Sequence, residues 1–213
     1  MEKQSEKYKM QTFIEINLKK DLNKALAELG FIKPTPIQAK TIPILMDSDR
    51  DMIGSAQTGT GKTAAFGIPI IESCKPSGKT QALVLCPTRE LAVQVAEEIG
   101  ALQGNKGLKI ETVYGGTDID KHAKLLDKGV DLIVGTPGRV IDMSKRGHIH
   151  LSEIGIFCLD EADRMLDMGF FPDVLWVVEK MTNRRQTMLF SATFPQEVLD
   201  ASIEFTKDPF HVM

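Results

Sequence analysis

Apolar residues along this chain gather into short continuous runs, separated by longer stretches with helical spacing. The runs are Met52-Ile53, Ala82-Leu83-Val84-Leu85-Cys86, residues 110–114, Leu132-Ile133-Val134, Ile156-Phe157-Cys158-Leu159 and Met188-Leu189-Phe190. A strand with one wet face alternates apolar and polar side chains, whereas one buried on both faces reads as an unbroken run. The runs therefore predict parallel strands inside a layered fold. Helical spacing predicts helices over 63–72, 90–102, 118–126, 162–168 and 195–204. Strand and helix alternate from Asp51 onward, which is the pattern of an α/β fold: an open parallel sheet with helices on both faces. Upstream, Leu18, Leu22, Ala25, Leu26 and Leu29 recur at helical spacing, and Gly30 suits the end of that helix. A second helix is expected from Thr35, with Thr35 as N-cap and Pro36 at the first helical position.

Composition narrows the class. The chain has 213 residues, 42% hydrophobic and 26% charged, which argues against a disordered chain, a collagen or a coiled coil. No apolar run approaches the roughly 20 residues that cross a bilayer. The segment 1–9 is polar, without the apolar stretch of a secretory signal, so an intracellular location is expected. A net charge of -3 argues against a strongly cationic nucleic-acid binder but leaves room for a local basic groove. Three cysteines are too few for a disulfide framework, and Cys86 and Cys158 sit in apolar runs as expected of small core residues. His148 and His150 have no carboxylate or cysteine nearby in sequence, which argues against a metal site there.

The segments directly after the strands are distinctive. They are 57–63, Pro87-Thr88-Arg89, Gly115-Gly116, Thr136-Pro137-Gly138-Arg139, Asp160-Glu161 and Ser191-Ala192-Thr193. In an open α/β sheet the carboxyl ends of the strands form the ligand crevice, so the chemistry is expected along one edge. Ala56-Gln57-Thr58-Gly59-Thr60-Gly61-Lys62-Thr63 fits the phosphate-loop pattern except that Ala56 holds its first glycine position. Gly59 and Gly61 let backbone N–H groups turn toward phosphate oxygens, with Thr58 and Thr60 between them, and the following helix adds its positive end. Lys62 would reach the β- and γ-phosphates, and the Thr63 hydroxyl would ligate Mg²⁺. Asp160 and Glu161 end an apolar run; Asp160 would hold Mg²⁺ through water, while Glu161 would orient or deprotonate an attacking water. The same acidic pair also suits the opening of a helix.

The tetrapeptide Asp160-Glu161-Ala162-Asp163 is the one that names the DEAD-box RNA helicases, and the chain resembles that family from about Phe13 to its end. The order of segments 30–38, 56–63, 87–92, 115–116, 136–139, 160–163 and 191–193 is similar to the family's, in which alanine is usual at the position of Ala56. The resemblance implies an ATP- and Mg²⁺-dependent RNA helicase with a RecA-like domain. It also implies that the upstream helices form an adenine-binding extension, in which Phe13 stacks on the base and the Gln38 amide reads its edge. Thr35-x-x-Gln38 is equally a capping box, and Phe13 is equally a hydrophobic staple. Pro87, Thr88, Arg89, Gly115, Gly116, Thr136, Gly138 and Arg139 are implied to contact the phosphates and sugars of single-stranded or partly duplex RNA, without strong sequence preference. A capping or ion-pairing role for Arg89 remains open, whereas Arg184-Arg185, outside the motifs, reads as a solvated loop. Ser191 and Thr193 are implied to touch Asp163 and couple nucleotide state to RNA; alone, they would cap the helix near Pro195. In related sheets the strand before Ser191 lies between those carrying Asp160 and Lys62.

The family carries two RecA-like domains, and the second supplies arginine fingers. The expected organisation is a flexible tail over 1–10 and the first RecA-like domain over 11–213, with the second domain absent from this chain and normally in the same polypeptide. An ATP-gated RNA clamp is the alternative function; intact Lys62, Asp160 and Glu161 favour an enzyme.

Overall fold

The apolar runs become short strands whose successive side chains enter opposite layers. A computed structural model of the chain describes residues 11–16 and 18–212, so the tail expected over 1–10 lies outside the described residues. In chain order the strands are β1 (Met52–Ser55), β2 (Ala82–Leu85), β3 (Ile110–Val113), β4 (Leu132–Gly135), β5 (Ile156–Leu159), β6 (Gln186–Ser191) and β7 (Phe210–Val212). They form one seven-stranded sheet in the order β3-β4-β2-β5-β6-β1-β7, with every pairing parallel. The helices are α1 (Lys20–Glu28), α2 (Pro36–Asp47), α3 (Lys62–Ser73), α4 (Arg89–Leu102), α5 (Ile119–Asp127), α6 (Pro137–Lys145), α7 (Ala162–Asp167), α8 (Phe171–Lys180) and α9 (Gln196–Phe205).

The sheet divides the core in two with the two-residue period of a strand. Ala82, Val84, Ile156, Cys158, Met188 and Phe190 enter one layer with Leu26, Ile42, Phe66, Ile70 and Ile99 from α1 to α4. Leu83, Leu85, Phe157, Leu159 and Leu189 enter the other with Val140, Met165, Val174, Val177 and Phe205 from α6 to α9. Both faces are thereby buried, which is why the strands read as continuous apolar runs. The phosphate-loop helix α3 belongs to the first layer, where Phe66 meets Phe190 at a centroid distance of 5.4 Å. The upstream helices pack on this same layer. Lys19 pairs with Glu72 at 3.4 Å, tying the entry of α1 to the end of α3.

The strand after the acidic pair sits where the family resemblance implied: β6 lies between β5 and β1. Elements beyond those expected are α6, α8 and β7. Proline opens α6 at its first position and sits in the first turn of α8, so both carry a normal helix start. Short β7 pairs with the open edge of β1, a partner distant in sequence. The paired arginines are also more structural than a solvated loop. Arg185 pairs with Asp49, and burial lowers the pKa of Arg184, against the favourable field of Asp51.

Candidate functional site

The parallel sheet aims the carboxyl ends of its strands at one edge, and the polar segments after them meet there. The loop after β1 turns through Gly59 at φ 80° and Gly61 at φ 84°, conformations open to glycine at little cost. Gly61 has a second constraint: a Cβ there would lie 2.4 Å from the Gln38 Nε2. The turn closes locally, with the Thr60 hydroxyl donating to the Gln57 carbonyl at 2.6 Å. Thr58, Gly59 and Thr60 are exposed, whereas Lys62, the first residue of α3, is buried.

Lys62 reaches past β6 to the end of β5. Its Nζ lies 2.6 Å from Asp160 Oδ1 and 3.9 Å from Glu161 Oε1. Asp160 is fully buried, and that burial raises its carboxyl above the ordinary range even though Lys62 pulls the other way. Its Oδ2 is buried without a hydrogen-bond partner, an acceptor suited to a hydrated cation. Among the described residues no trio of His, Cys, Asp or Glu forms a metal cage. A lone buried carboxylate oxygen suits a cation that keeps most of its ligands as water and substrate oxygens. Glu161 adopts φ 53°, an uncommon left-handed conformation for a side chain other than glycine. It is held between Lys62 and Arg164, whose Nη1 donates to Oε2 at 2.6 Å. Residues other than glycine held in this left-handed region cluster at active sites.

A hollow of about 470 Å³ lies beside the loop, lined in part by Phe31, Lys33, Gln38, Gly59 and Gly61. Gln38 joins its capping role to the loop. Its Oε1 accepts from the Thr35 N–H at 3.0 Å, and its Nε2 donates to the Gly61 carbonyl at 3.0 Å. Phe13 is 4% exposed and meets Phe31 edge-on at 5.8 Å. Phe31, rather than Phe13, lines the hollow.

Asp163, in the first turn of α7, is joined to the end of β6 in both directions. Its N–H donates to the Ser191 hydroxyl at 3.0 Å, while its Oδ2 accepts from Thr193 N–H at 2.9 Å and Thr193 Oγ1 at 2.8 Å. Burial alone would raise the Asp163 carboxyl, but these hydrogen bonds outweigh it and hold it below the ordinary range.

Farther along the edge, Thr88 caps α4, its hydroxyl accepting from the Leu91 N–H at 3.3 Å. Arg89 is exposed, with its guanidinium 4.7 Å from the centroid of Tyr114, and it forms no salt bridge among the described residues. Gly115, Gly116 and Gly138 are exposed, and a Cβ at each would meet open space, so an approaching chain can lie close to their backbone. Pro87 is buried and Thr136 half-buried, supporting the ends of β2 and β4. Arg139 donates to the Thr117 carbonyl at 3.0 Å and lies 3.1 Å from His122. Sequence reasoning missed Phe31, Tyr114, Thr117, His122 and Arg164 as parts of these arrangements. Arg164 had a signal in its three-residue spacing from Glu161. His122 had only its place on the inner side of an amphipathic helix.

Comparison with known proteins agrees with this geometry. The chain is 47% identical over 201 residues to the DEAD-box ATP-dependent RNA helicase CshA of Streptococcus pneumoniae, covering 94% of this chain and 38% of that protein. It is 46% identical over 202 residues to CshA of Bacillus subtilis, with 94% and 41% covered. The chain thus spans about two-fifths of the length of these relatives. The crystal structure of a DEAD box protein from Methanococcus jannaschii superposes with a TM-score of 0.92 at 42% identity, over 96% of this chain and 56% of that one. A hypothetical ATP-dependent RNA helicase from Sulfolobus tokodaii gives 0.85 at 36% identity, over 92% and 57%. These likenesses identify the fold as the RecA-like domain of such proteins. The DEAD/DEAH box helicase family matches residues 35–201, most of the chain, and the chain belongs to that family.

Proposed function

We propose that this chain is the first RecA-like domain of an ATP-dependent RNA helicase, spanning 11–213, and that a second such domain completes its active site. The observation that carries the reading is one connected arrangement. Lys62 and Asp160 meet at 2.6 Å, and Asp163, after β5, binds Ser191 and Thr193; β5 lies beside β2, the strand whose end carries Arg89. An ATP phosphate chain entering the loop gives Lys62 stronger partners than the buried Asp160 and draws its ammonium group toward the β- and γ-oxygens. Thr63 and Asp160 would hold Mg²⁺, Asp160 through water, and the ion would supply charge neutralisation at the phosphates. Glu161 orients the attacking water and takes its proton as the water oxygen bonds to the γ-phosphorus and the bond to the bridging oxygen breaks. Gln38 and Phe31 line the side of the hollow that would take adenine, with Phe13 supporting Phe31 edge-on.

Single-stranded or partly duplex RNA would lie along Thr88, Arg89, Gly115, Gly116, Thr136, Gly138 and Arg139, with buried Pro87 supporting the loop beneath. Two arginines and bare glycine backbone suit phosphates and sugars rather than base edges, so little sequence preference is expected. The Asp163–Ser191–Thr193 contact would couple the two sites, because it fixes the helix after Glu161 to the neighbouring strand end.

An arginine finger from a second domain can contribute roughly 10³–10⁵ in rate. The purified 213-residue chain is therefore expected to bind ATP weakly, to hydrolyse it very slowly, and to bind single-stranded RNA through Arg89 and Arg139. Steady-state ATP hydrolysis with and without RNA tests this. Rapid RNA-stimulated turnover by this chain alone would show that the site is already complete.

A further inference from the structure

Arg139 is aimed by the segment that joins β3 to α5. Its Nη2 donates to the Thr117 carbonyl at 3.0 Å, and its Nη1 meets His122 Nδ1 at 3.1 Å. A guanidinium carries only donors, so Nδ1 is the acceptor and bears no proton. A neutral imidazole with a bare Nδ1 carries its hydrogen on Nε2. That atom lies 3.3 Å from the Thr117 hydroxyl, which accepts and passes its own hydrogen to the Tyr114 carbonyl at 3.2 Å. Donors and acceptors therefore match along the whole chain of contacts for one tautomer only.

The ring is also a packing element. His122 is 4% exposed and meets Tyr114 edge-on, with centroids 5.6 Å apart. Tyr114 in turn lies under the Arg89 guanidinium, at 4.7 Å. One buried ring thus bonds directly to one exposed-edge arginine and supports the platform of the other.

We propose that His122 is a positioning residue for the RNA-binding edge: its neutral Nε2–H tautomer fixes the Arg139 guanidinium and braces the tyrosine on which Arg89 rests. The proposal rests on the reading of this edge as an RNA surface. The charged groups facing the ring are Arg139 from α6, Lys121 from α5 and Asp118 at the N-cap of α5, with Arg89 beyond Tyr114. Burial, then the cations Arg139 and Lys121, keep the ring neutral below the ordinary histidine range, against the weaker pull of Asp118. The geometry and the charge environment favour the same protonation state.

Glutamine and methionine separate hydrogen bonding from packing at this position. His122→Gln can still accept from Arg139 and donate to Thr117, whereas His122→Met fills similar space with neither bond. Binding of a fluorescein-labelled single-stranded oligouridine to the 213-residue chain is read by anisotropy at low salt. His122→Gln is expected to bind within about twofold of wild type, and His122→Met about tenfold more weakly, the scale of one lost charge-assisted hydrogen bond. In an Arg139→Ala background, His122→Met is expected to cost much less than it does alone, because its direct partner is already gone. Wild-type binding by the methionine variant, an equal loss in the glutamine variant, or an undiminished loss in the Arg139→Ala background would each overturn the proposal. Wild-type binding by Arg139→Ala itself would instead sink the reading of the edge as an RNA surface, and the positioning role with it. Nitrogen-15 spectra of the wild-type imidazole supply a test independent of RNA and of variant folding. A protonated Nε2 and bare Nδ1 are expected at neutral pH, and the opposite tautomer would refute the assignment.

Discussion

Changing Gln38 to glutamate turns one buried hydrogen bond into a pH-dependent defect. Gln38 is 2% exposed, accepting from Thr35 N–H and donating to the Gly61 carbonyl, both at 3.0 Å. In Gln38→Glu the protonated side chain can still make both bonds, since its O–H replaces the amide donor. The ionised side chain keeps only the first and turns a second carboxylate oxygen toward a carbonyl. A fully buried carboxyl can be raised by 3–5 units, and the N-terminus of α2 with the Thr35 N–H offsets part of that, leaving about two units. At about 1.36 kcal/mol per unit, the penalty above the raised pKa is about 2.7 kcal/mol.

The direction follows from proton linkage. A carboxyl whose folded pKa exceeds its unfolded value of about 4.3 contributes full stability below that value and loses it as pH rises through the folded pKa. The difference in unfolding free energy between wild type and variant should therefore be small near about pH 4, and grow by about 1.4 kcal/mol per pH unit up to roughly pH 6.3 before levelling. Urea unfolding of both proteins at each pH, followed by circular dichroism, measures it directly. A difference that does not change with pH, or one under about 1 kcal/mol near pH 8, would refute the buried Gln38–Gly61 bond as the source of the effect.

Other outcomes test separate parts of the structure. Glu161→Gln should leave ATP and RNA binding intact while lowering turnover by about 10²-fold or more; unchanged turnover removes Glu161 from the chemistry. Gly135→Ala would place a Cβ 2.5 Å from the Val113 carbonyl oxygen and 2.8 Å from Val140 Cγ2, so backbone must move. It should cost at least about 1–3 kcal/mol, seen as a fall of several degrees in Tm, and an unchanged melt would contradict that β3–β4 spacing. Burial pushes the Cys74 thiol up to about 11, and Cys74, Cys86 and Cys158 are all buried. Iodoacetamide near neutral pH should modify them quickly only in urea; rapid labelling of the folded chain would show that these thiols are reached from solvent.

Local patterns carried much of this site because phosphate binding and strand burial impose constraints within a few residues. Gly59, Gly61, Lys62 and Thr63 belong to one loop and helix start, and Asp160-Glu161 end one apolar run, so spacing alone exposes them. The double burial of the strands is legible for the same reason, since alternate residues of a single run feed both cores. Gln38 was readable as a cap, but its bond to Gly61 spans 23 residues. Phe13 illustrates the opposite limit: the family resemblance points to an aromatic upstream of the glutamine, while only packing decides that Phe31 lines the hollow and Phe13 meets it edge-on.

The sequence by itself determined the α/β class, the phosphate loop, the acidic pair and the family resemblance, because each rests on contiguous chemistry. The tertiary structure decided the strand order, the edge pairing of β7, the 2.6 Å approach of Lys62 to Asp160 and the link from Arg139 through His122 to Tyr114. Those depend on which strand ends lie side by side. Parallel strands are joined through crossovers, so neighbours in the sheet need not be neighbours in the chain, and no local pattern records their distance.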